Sequence, residues 1–155
     1  MKDRIMANSY ISLYIHYVFS TKERQPLLVP EIQDRVWAYM GGVARKNKMK
    51  ALAVGGTKDH VHILLSLPAT ISVSKAIQLI KGASSKWIND TFDKTKKFSW
   101  QRGYGAFSVN VSILKETVLY IERQEAHHKH KSFQDEYVNF LKKHGIDYDE
   151  RYVWD

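Results

Sequence analysis

Three observations predict an α+β protein, with helices packed on an antiparallel sheet. Short runs of alternating apolar residues are interleaved with longer runs in which apolar residues recur every three or four positions, the periods of strand and helix respectively. The runs follow in the order strand, helix, strand, strand, helix, strand, and a further helix comes behind them. The β-α-β-β-α-β order is the ferredoxin-like arrangement, in which two helices cover one face of the sheet and the other is left for a ligand or an additional C-terminal helix.

The first strand spans 10–20: Leu13, Ile15, Tyr17 and Phe19 form one apolar side, with Tyr14, His16 and Val18 on the other. Pro26 and Pro30 bound a loop, after which the spacing of Ile32, Val36, Met40 and Val43 predicts a helix. It gives way to a basic stretch over 45–50, a short strand over 51–54, and a turn or bend at Gly55-Gly56. Residues 59–67 alternate again and stop at Pro68. From Ser72, the stripe Val73, Ala76, Ile77, Ile80, Ala83 and Trp87 predicts the second helix. Lys94-Thr95-Lys96-Lys97 reads as an exposed loop and 104–111 as the fourth strand. Asn110 or Ser112 then caps a third helix reaching about His130, and Phe133 to His144 forms a short terminal helix ending at Gly145.

The chain has 155 residues with no repeat or Pro/Gly/Ser linker, which predicts a single domain over 1–155 with 131–155 as a tail or short helix. The absence of cysteine excludes a disulfide framework, a thiolate zinc site and a cysteine nucleophile. No apolar run approaches the ~20 residues needed to span a bilayer. Residues 1–7 lack the apolar core of a signal peptide, so a cytoplasmic protein with no membrane attachment is expected. The net charge of +8 comes entirely from residues ahead of 120. Such asymmetry fits a basic body drawn to nucleic acid or a merely basic solvated surface, and charge alone leaves both open.

The chemistry concentrates in two places. His60 and His62 alternate with Val61 on one strand, so they share a face with Leu64 and Ser66. Imidazoles at i and i+2 stand roughly 7 Å apart at the backbone, close enough to converge on one metal ion, although paired histidines also occur without a ligand. In the third helix, Tyr120 and Gln124 lie one turn apart on one face, beside the apolar stripe of Leu114, Val118 and Ile121.

Together these residues resemble a family. Asp59-His60-Val61-His62-Ile63-Leu64-Leu65, followed about sixty residues later by Tyr120-Ile121-Glu122-Arg123-Gln124, is similar to the HUH-superfamily single-tyrosine transposases, small insertion-sequence enzymes related to the REP-associated tyrosine transposases. Further matches are His16-Tyr17-Val18-Phe19-Ser20-Thr21-Lys22, Lys81-Gly82-Ala83-Ser84-Ser85 and Trp100-Gln101-Arg102-Gly103-Tyr104, all in order over roughly residues 10–124. The resemblance implies that the third helix is catalytic, with Tyr120 as nucleophile and His60, His62 and Gln124 as ligands of a divalent metal. Mg²⁺ or Mn²⁺ suits the amide oxygen, with Zn²⁺ left open. It implies cleavage and rejoining of single-stranded DNA, with hairpins at element ends, through a 5′-phosphotyrosine, and a homodimer. A host-adapted endonuclease acting on dispersed hairpins is an alternative.

Other residues carry two readings each. His127 shares the face of Tyr120, where it assists proton transfer or binds phosphate, or else frays off the helix with His128 and His130. His16 supports the site or is a satisfied structural histidine. Lys75 and Lys86, on the polar face of the second helix, and Lys81 and Arg102, in the matched segments, are candidates for DNA binding. Trp100, Tyr104 and Phe107 stack bases or sit in the core. A non-catalytic RNA- or DNA-binding module competes through Arg102-Gly103-Tyr104-Gly105-Ala106-Phe107, but Phe107 falls one residue late for the RNA-recognition signature. That reading leaves both histidines, Tyr120 and Gln124 without a role.

Overall fold

A computed structural model describes residues 9–92, 97–129 and 131–154. Four strands, β1 (Tyr14–Ser20), β2 (Lys50–Gly56), β3 (His60–Ser66) and β4 (Gly105–Ser108), form one antiparallel sheet in the order β2-β3-β1-β4. Helix α1 (Pro30–Lys46) connects β1 to β2 and α2 (Val73–Thr91) connects β3 to β4. Behind β4 come α3 (Leu114–Glu122), α4 (Gln124–His127) and α5 (Phe133–Lys143). The architecture is the expected α+β, ferredoxin-like one. Among the described residues, no helix is long and apolar enough to cross a membrane.

Period-two alternation sorts the side chains of the sheet. Tyr17, Phe19, Val61, Ile63 and Leu65 point to α1 and α2, where they pack with Val36, Met40, Ile77 and Ile80. On the opposite face, Val18 and Phe107 meet Phe133, Tyr137 and Leu141 of α5. There Ala53 and Leu64 also meet Ile121 of α3. Local signals start the helices: Pro30 opens α1, the Ser72 hydroxyl accepts from the Lys75 amide at 3.0 Å, and the Ser132 hydroxyl accepts from the Asp135 amide at 3.1 Å.

Four boundaries differ from the sequence expectation. The first strand begins at Tyr14 because its partner in β3 ends at Ser66, and the last bond there joins the Leu67 amide to the Leu13 carbonyl. Gly55 and Gly56 belong to β2 and form no bend; a Cβ on Gly56 would stand 2.1 Å from the His60 carbonyl oxygen. The fourth strand is only four residues long, since Asn110 caps a 3-10 turn over Val111–Ile113 by accepting from the Ser112 amide at 2.9 Å. The third helix breaks at Arg123 (φ −107°, ψ 28°), and Gln124 opens a separate turn. Lys97 is exposed, while residues 94–96, His130 and the first seven residues lie outside the described ones.

Candidate active site

The site is built on the α3 and α5 face of β3. His60 and His62 are fully buried there, and each is held through its Nδ1. His60 Nδ1 lies 2.8 Å from Asp59 Oδ1 and 3.0 Å from Thr57 Oγ1. His62 Nδ1 lies 2.8 Å from Nε2 of His16, itself 3% exposed. Both Nε2 atoms are thereby turned toward the same space, the pattern of imidazoles oriented for a ligand by their outer partners.

Helix α3 reaches that space because β2 lets it approach. A Cβ on Gly55 would stand 2.4 Å from the Ile121 carbonyl oxygen, so only glycine admits the end of α3 at this depth. The Gln124 amide donates to the Tyr120 carbonyl at 3.1 Å, and its oxygen faces His60 Nε2 at 3.1 Å. Tyr120 stands edge-on to the His62 ring, centroids 5.7 Å apart. One chain therefore assembles His60, His62, Tyr120 and Gln124.

Helix α5 closes the site from the other side. Phe133 stacks on His60 at 4.6 Å between centroids, and Phe140 stacks on Phe107 at 5.0 Å. Between them Glu136, 2% exposed, enters the histidine cluster. Its Oε1 lies 2.9 Å from His62 Nε2, 3.0 Å from His128 Nε2 and 3.6 Å from His60 Nε2. Its Oε2 accepts the Tyr120 hydroxyl, which also lies 3.3 Å from His127 Nε2.

Sequence reasoning missed Glu136, although the signal was present. Phe133, Tyr137, Phe140 and Leu141 mark the apolar stripe of the terminal helix. Glu136 falls in that stripe, three residues after Phe133 and four before Phe140, where a carboxylate needs a partner.

Burial sets the electrostatics. It lowers His62 to about 4 against the opposing pull of Glu136, and it holds His16 well below the usual histidine range, so both are neutral. Burial and the adjacent carboxylate together push the Tyr120 phenol far above its ordinary value. Burial alone would raise Glu136, but hydrogen bonds from His128, His62 and Tyr120 hold it well below the carboxylate range. The same carboxylate raises His128 despite partial burial, while burial lowers His127. The result is one buried carboxylate near His16, His62 and His127, which burial favours in the neutral form. Neutral imidazole nitrogens, an amide oxygen and a carboxylate are a donor set that fits a divalent ion.

A cavity of about 620 Å³ opens on this cluster, lined by Tyr120, His127 and Glu136 and by Lys131, Lys143 and His144. The other candidates lie across the sheet, on and beside α2. Lys75 and Lys86 are exposed, and Lys86 pairs with Asp90 at 2.7 Å. The Lys81 ammonium donates to the carbonyls of Gln101 at 2.7 Å and Gly103 at 2.9 Å, pinning the loop that presents exposed Arg102. Burial lowers Lys81 to about 8. A groove of about 380 Å³ runs between α2 and this loop, lined by Gln78, Lys81, Arg102 and Tyr104. Trp100 and Phe107 are core residues, and Trp100 donates its indole N–H to Ser84 at 3.0 Å.

The chain is similar to known proteins in sequence and fold. The ISDra2 transposase TnpA of Deinococcus radiodurans is 25% identical over 117 residues, 72% of this chain and 84% of that protein. The transposase for insertion sequence element IS200 of Salmonella typhimurium is 25% identical over 118 residues, 73% of this chain and 78% of its own length. The crystal structure of a transposase candidate from Deinococcus radiodurans superposes with a TM-score of 0.64 at 25% identity, covering 80% of this chain and 98% of that one. A REP-associated tyrosine transposase bound to a REP hairpin shares the fold, with a TM-score of 0.54 at 18% identity over 95% of this chain and 76% of that one. The model of the IS200-like transposases matches residues 9–124, the stretch that carries β1 through Gln124, and the chain belongs to that family.

Proposed function

We propose that the protein cleaves and rejoins single-stranded DNA at element ends by transesterification, with Tyr120 as nucleophile and His60, His62 and Gln124 as ligands of a divalent ion. The observation that carries this reading is the convergence, within one chain, of the Tyr120 hydroxyl, two oriented Nε2 atoms and the Gln124 oxygen. Bound there, Mg²⁺ or Mn²⁺, or Zn²⁺ in their place, supplies Lewis-acid polarisation of the scissile phosphodiester.

The phenol must lose its proton to attack, and its surroundings make that hard. Glu136 Oε2 holds the O–H in place, but the low proton affinity of this carboxylate makes it a poor base. His127, neutral and 3.3 Å from the hydroxyl, receives the proton. The Tyr120 oxygen then bonds to phosphorus, the bond from phosphorus to the 3′ oxygen breaks, and that oxygen leaves as a 3′-hydroxyl by taking the proton held on His127. In the reverse step a 3′-hydroxyl attacks the 5′-phosphotyrosine, restoring the DNA bond and the free phenol without ATP.

Lys131, Lys143 and His144 line the cavity beside Tyr120 and give the strand backbone its electrostatic contacts. The groove lined by Lys81 and Arg102, with Lys75 and Lys86 exposed on the same helix α2, receives a second stretch of DNA, the hairpin stem in our reading, with Lys81 acting through the loop it pins. A homodimer handles two ends together, each Tyr120 serving the histidines of its own chain.

Incubation with single-stranded DNA from the element ends and Mg²⁺ or Mn²⁺ yields a protein–DNA adduct that survives denaturing gels, and Tyr120→Phe eliminates it. Persistence of the adduct in that variant removes Tyr120 from the role. Mixing His60→Ala/His62→Ala protein with Tyr120→Phe protein restores no cleavage if each site belongs to one chain.

A further inference from the structure

Two donors in the histidine cluster, His128 and Glu136, lie beyond the stretch matched by the family model, which ends at residue 124. We propose that His128 and Glu136 join His60 and His62 as ligands of one ion in the DNA-free chain, making a resting site of three imidazoles and one carboxylate that takes Zn²⁺ in preference to Mg²⁺, with Gln124 and the phosphodiester entering when DNA displaces a ligand. The proposal rests on the reading above in placing an ion at the histidine pair.

Distance is the first argument. Donors at the corners of a tetrahedron built on bonds of ~2.0–2.1 Å stand about 3.3 Å apart. Glu136 Oε1 lies 2.9, 3.0 and 3.6 Å from the Nε2 atoms of His62, His128 and His60. All four donor atoms fall within 4.8 Å of one another.

Orientation is the second. Asp59 holds His60 by Nδ1 and His16 holds His62 by Nδ1, so both Nε2 atoms are presented together. A carboxylate behind an imidazole is the outer partner that fixes metal-bound histidines elsewhere. Glu136 also divides its work between two oxygens: Oε1 faces the imidazoles while Oε2 stays on the Tyr120 hydroxyl.

Charge and ligand type supply the third. Two histidines and a glutamine would leave both positive charges of a buried ion uncompensated, whereas Glu136 neutralises one. Imidazoles suit borderline ions, whereas Mg²⁺ demands oxygen octahedra and retains water.

The test is metal binding by the full chain after chelator treatment. Titration gives one Zn²⁺ per chain, bound at least about 100-fold more tightly than Mg²⁺. Glu136→Gln and His128→Ala each weaken Zn²⁺ by about 10-fold or more, and each changes the visible spectrum of the Co²⁺-loaded protein from the strong four-coordinate form to a weaker one. Circular dichroism verifies folding, and Glu136→Asp, which keeps the carboxylate, serves if Glu136→Gln does not fold. Preference for Mg²⁺, or Zn²⁺ affinity unchanged in both ligand variants, overturns the proposal. The adduct assay separates the two readings. Zn²⁺ bound as described without any Tyr120 adduct removes the transesterification alone. A Tyr120 adduct formed by a protein whose Zn²⁺ affinity ignores Glu136→Gln and His128→Ala removes the extra ligands alone.

Discussion

β3 gives Val61, Ile63 and Leu65 to the face under α1 and α2, and His60, His62 and Leu64 to the face under α3 and α5. Ile63 and His62 are neighbours in sequence and equally inaccessible, both 0% exposed. On the first face, burial is met by apolar contact with Tyr17, Phe19, Met40 and Ile80. On the second, every polar group entering the dry space finds a partner: His60 with Asp59, His62 with His16, and Glu136 with His62, His128 and Tyr120. Among the described residues no buried side-chain nitrogen or oxygen lacks a hydrogen-bond partner. One strand thus separates two tasks by parity. Residues facing α1 and α2 drive folding through apolar burial, whereas the opposite face pays in desolvation for a cluster whose value is chemical.

The widest separation of the two faces is expected from His60→Ala/His62→Ala, which reduces DNA cleavage by about 10²–10³-fold or more through loss of the charge-stabilising site. Cleavage assays with thermal melts check that the fold survives, and a wild-type rate in the presence of chelator would dismiss the metal assignment.

On the other face, Ile63→Ala costs about 2–5 kcal/mol of stability by leaving a cavity in the apolar core. Adduct yield per folded molecule changes little. Denaturant unfolding beside the adduct assay measures both, and a selective loss of chemistry would show that the faces are coupled.

Gly55→Ala probes the seam. Its Cβ meets the Ile121 carbonyl oxygen, so α3 must shift, at a cost of about 1–3 kcal/mol. Tyr120 and Gln124 ride on that end of the chain, so adduct yield falls further than after an Ile63→Val change of similar or smaller stability cost.

The effect of pH is a net one between opposing groups. His62, at about 4, and His16, also lowered by burial, stay neutral in the folded chain while the unfolded chain protonates them below about 6.5. Stability present above that pH is therefore lost as pH falls, by up to about 1.4 kcal/mol per pH unit for each group. His128, raised by Glu136, works in the opposite direction. Melts of metal-free protein between about pH 7.5 and 5 measure the net fall, and a flat profile would mean that the cluster is already solvated.

The element order and the face carrying His60 and His62 were legible because alternation along a strand is a local property. The four-residue spacing of Tyr120 and Gln124 was legible for the same reason, even though the helix breaks between them at Arg123. The roles of Trp100 and Phe107 stayed open in the sequence because an aromatic ring suits a core or a base equally well. Only packing put Trp100 against Phe19, and Phe107 against Phe140.

By itself, the sequence determined which side chains share a strand or helix face, since periods of two and of three to four residues follow from backbone geometry. Tertiary structure alone decided that α3 returns to its own chain's β2 and β3, through the Gly55 contact. It also decided that Glu136 meets His62 across 74 residues of sequence. No periodicity reports such a meeting: it depends on the apolar stripe of α5 finding Val18 and Phe107 on the sheet, and the carboxylate enters the histidine cluster only because that stripe is buried there.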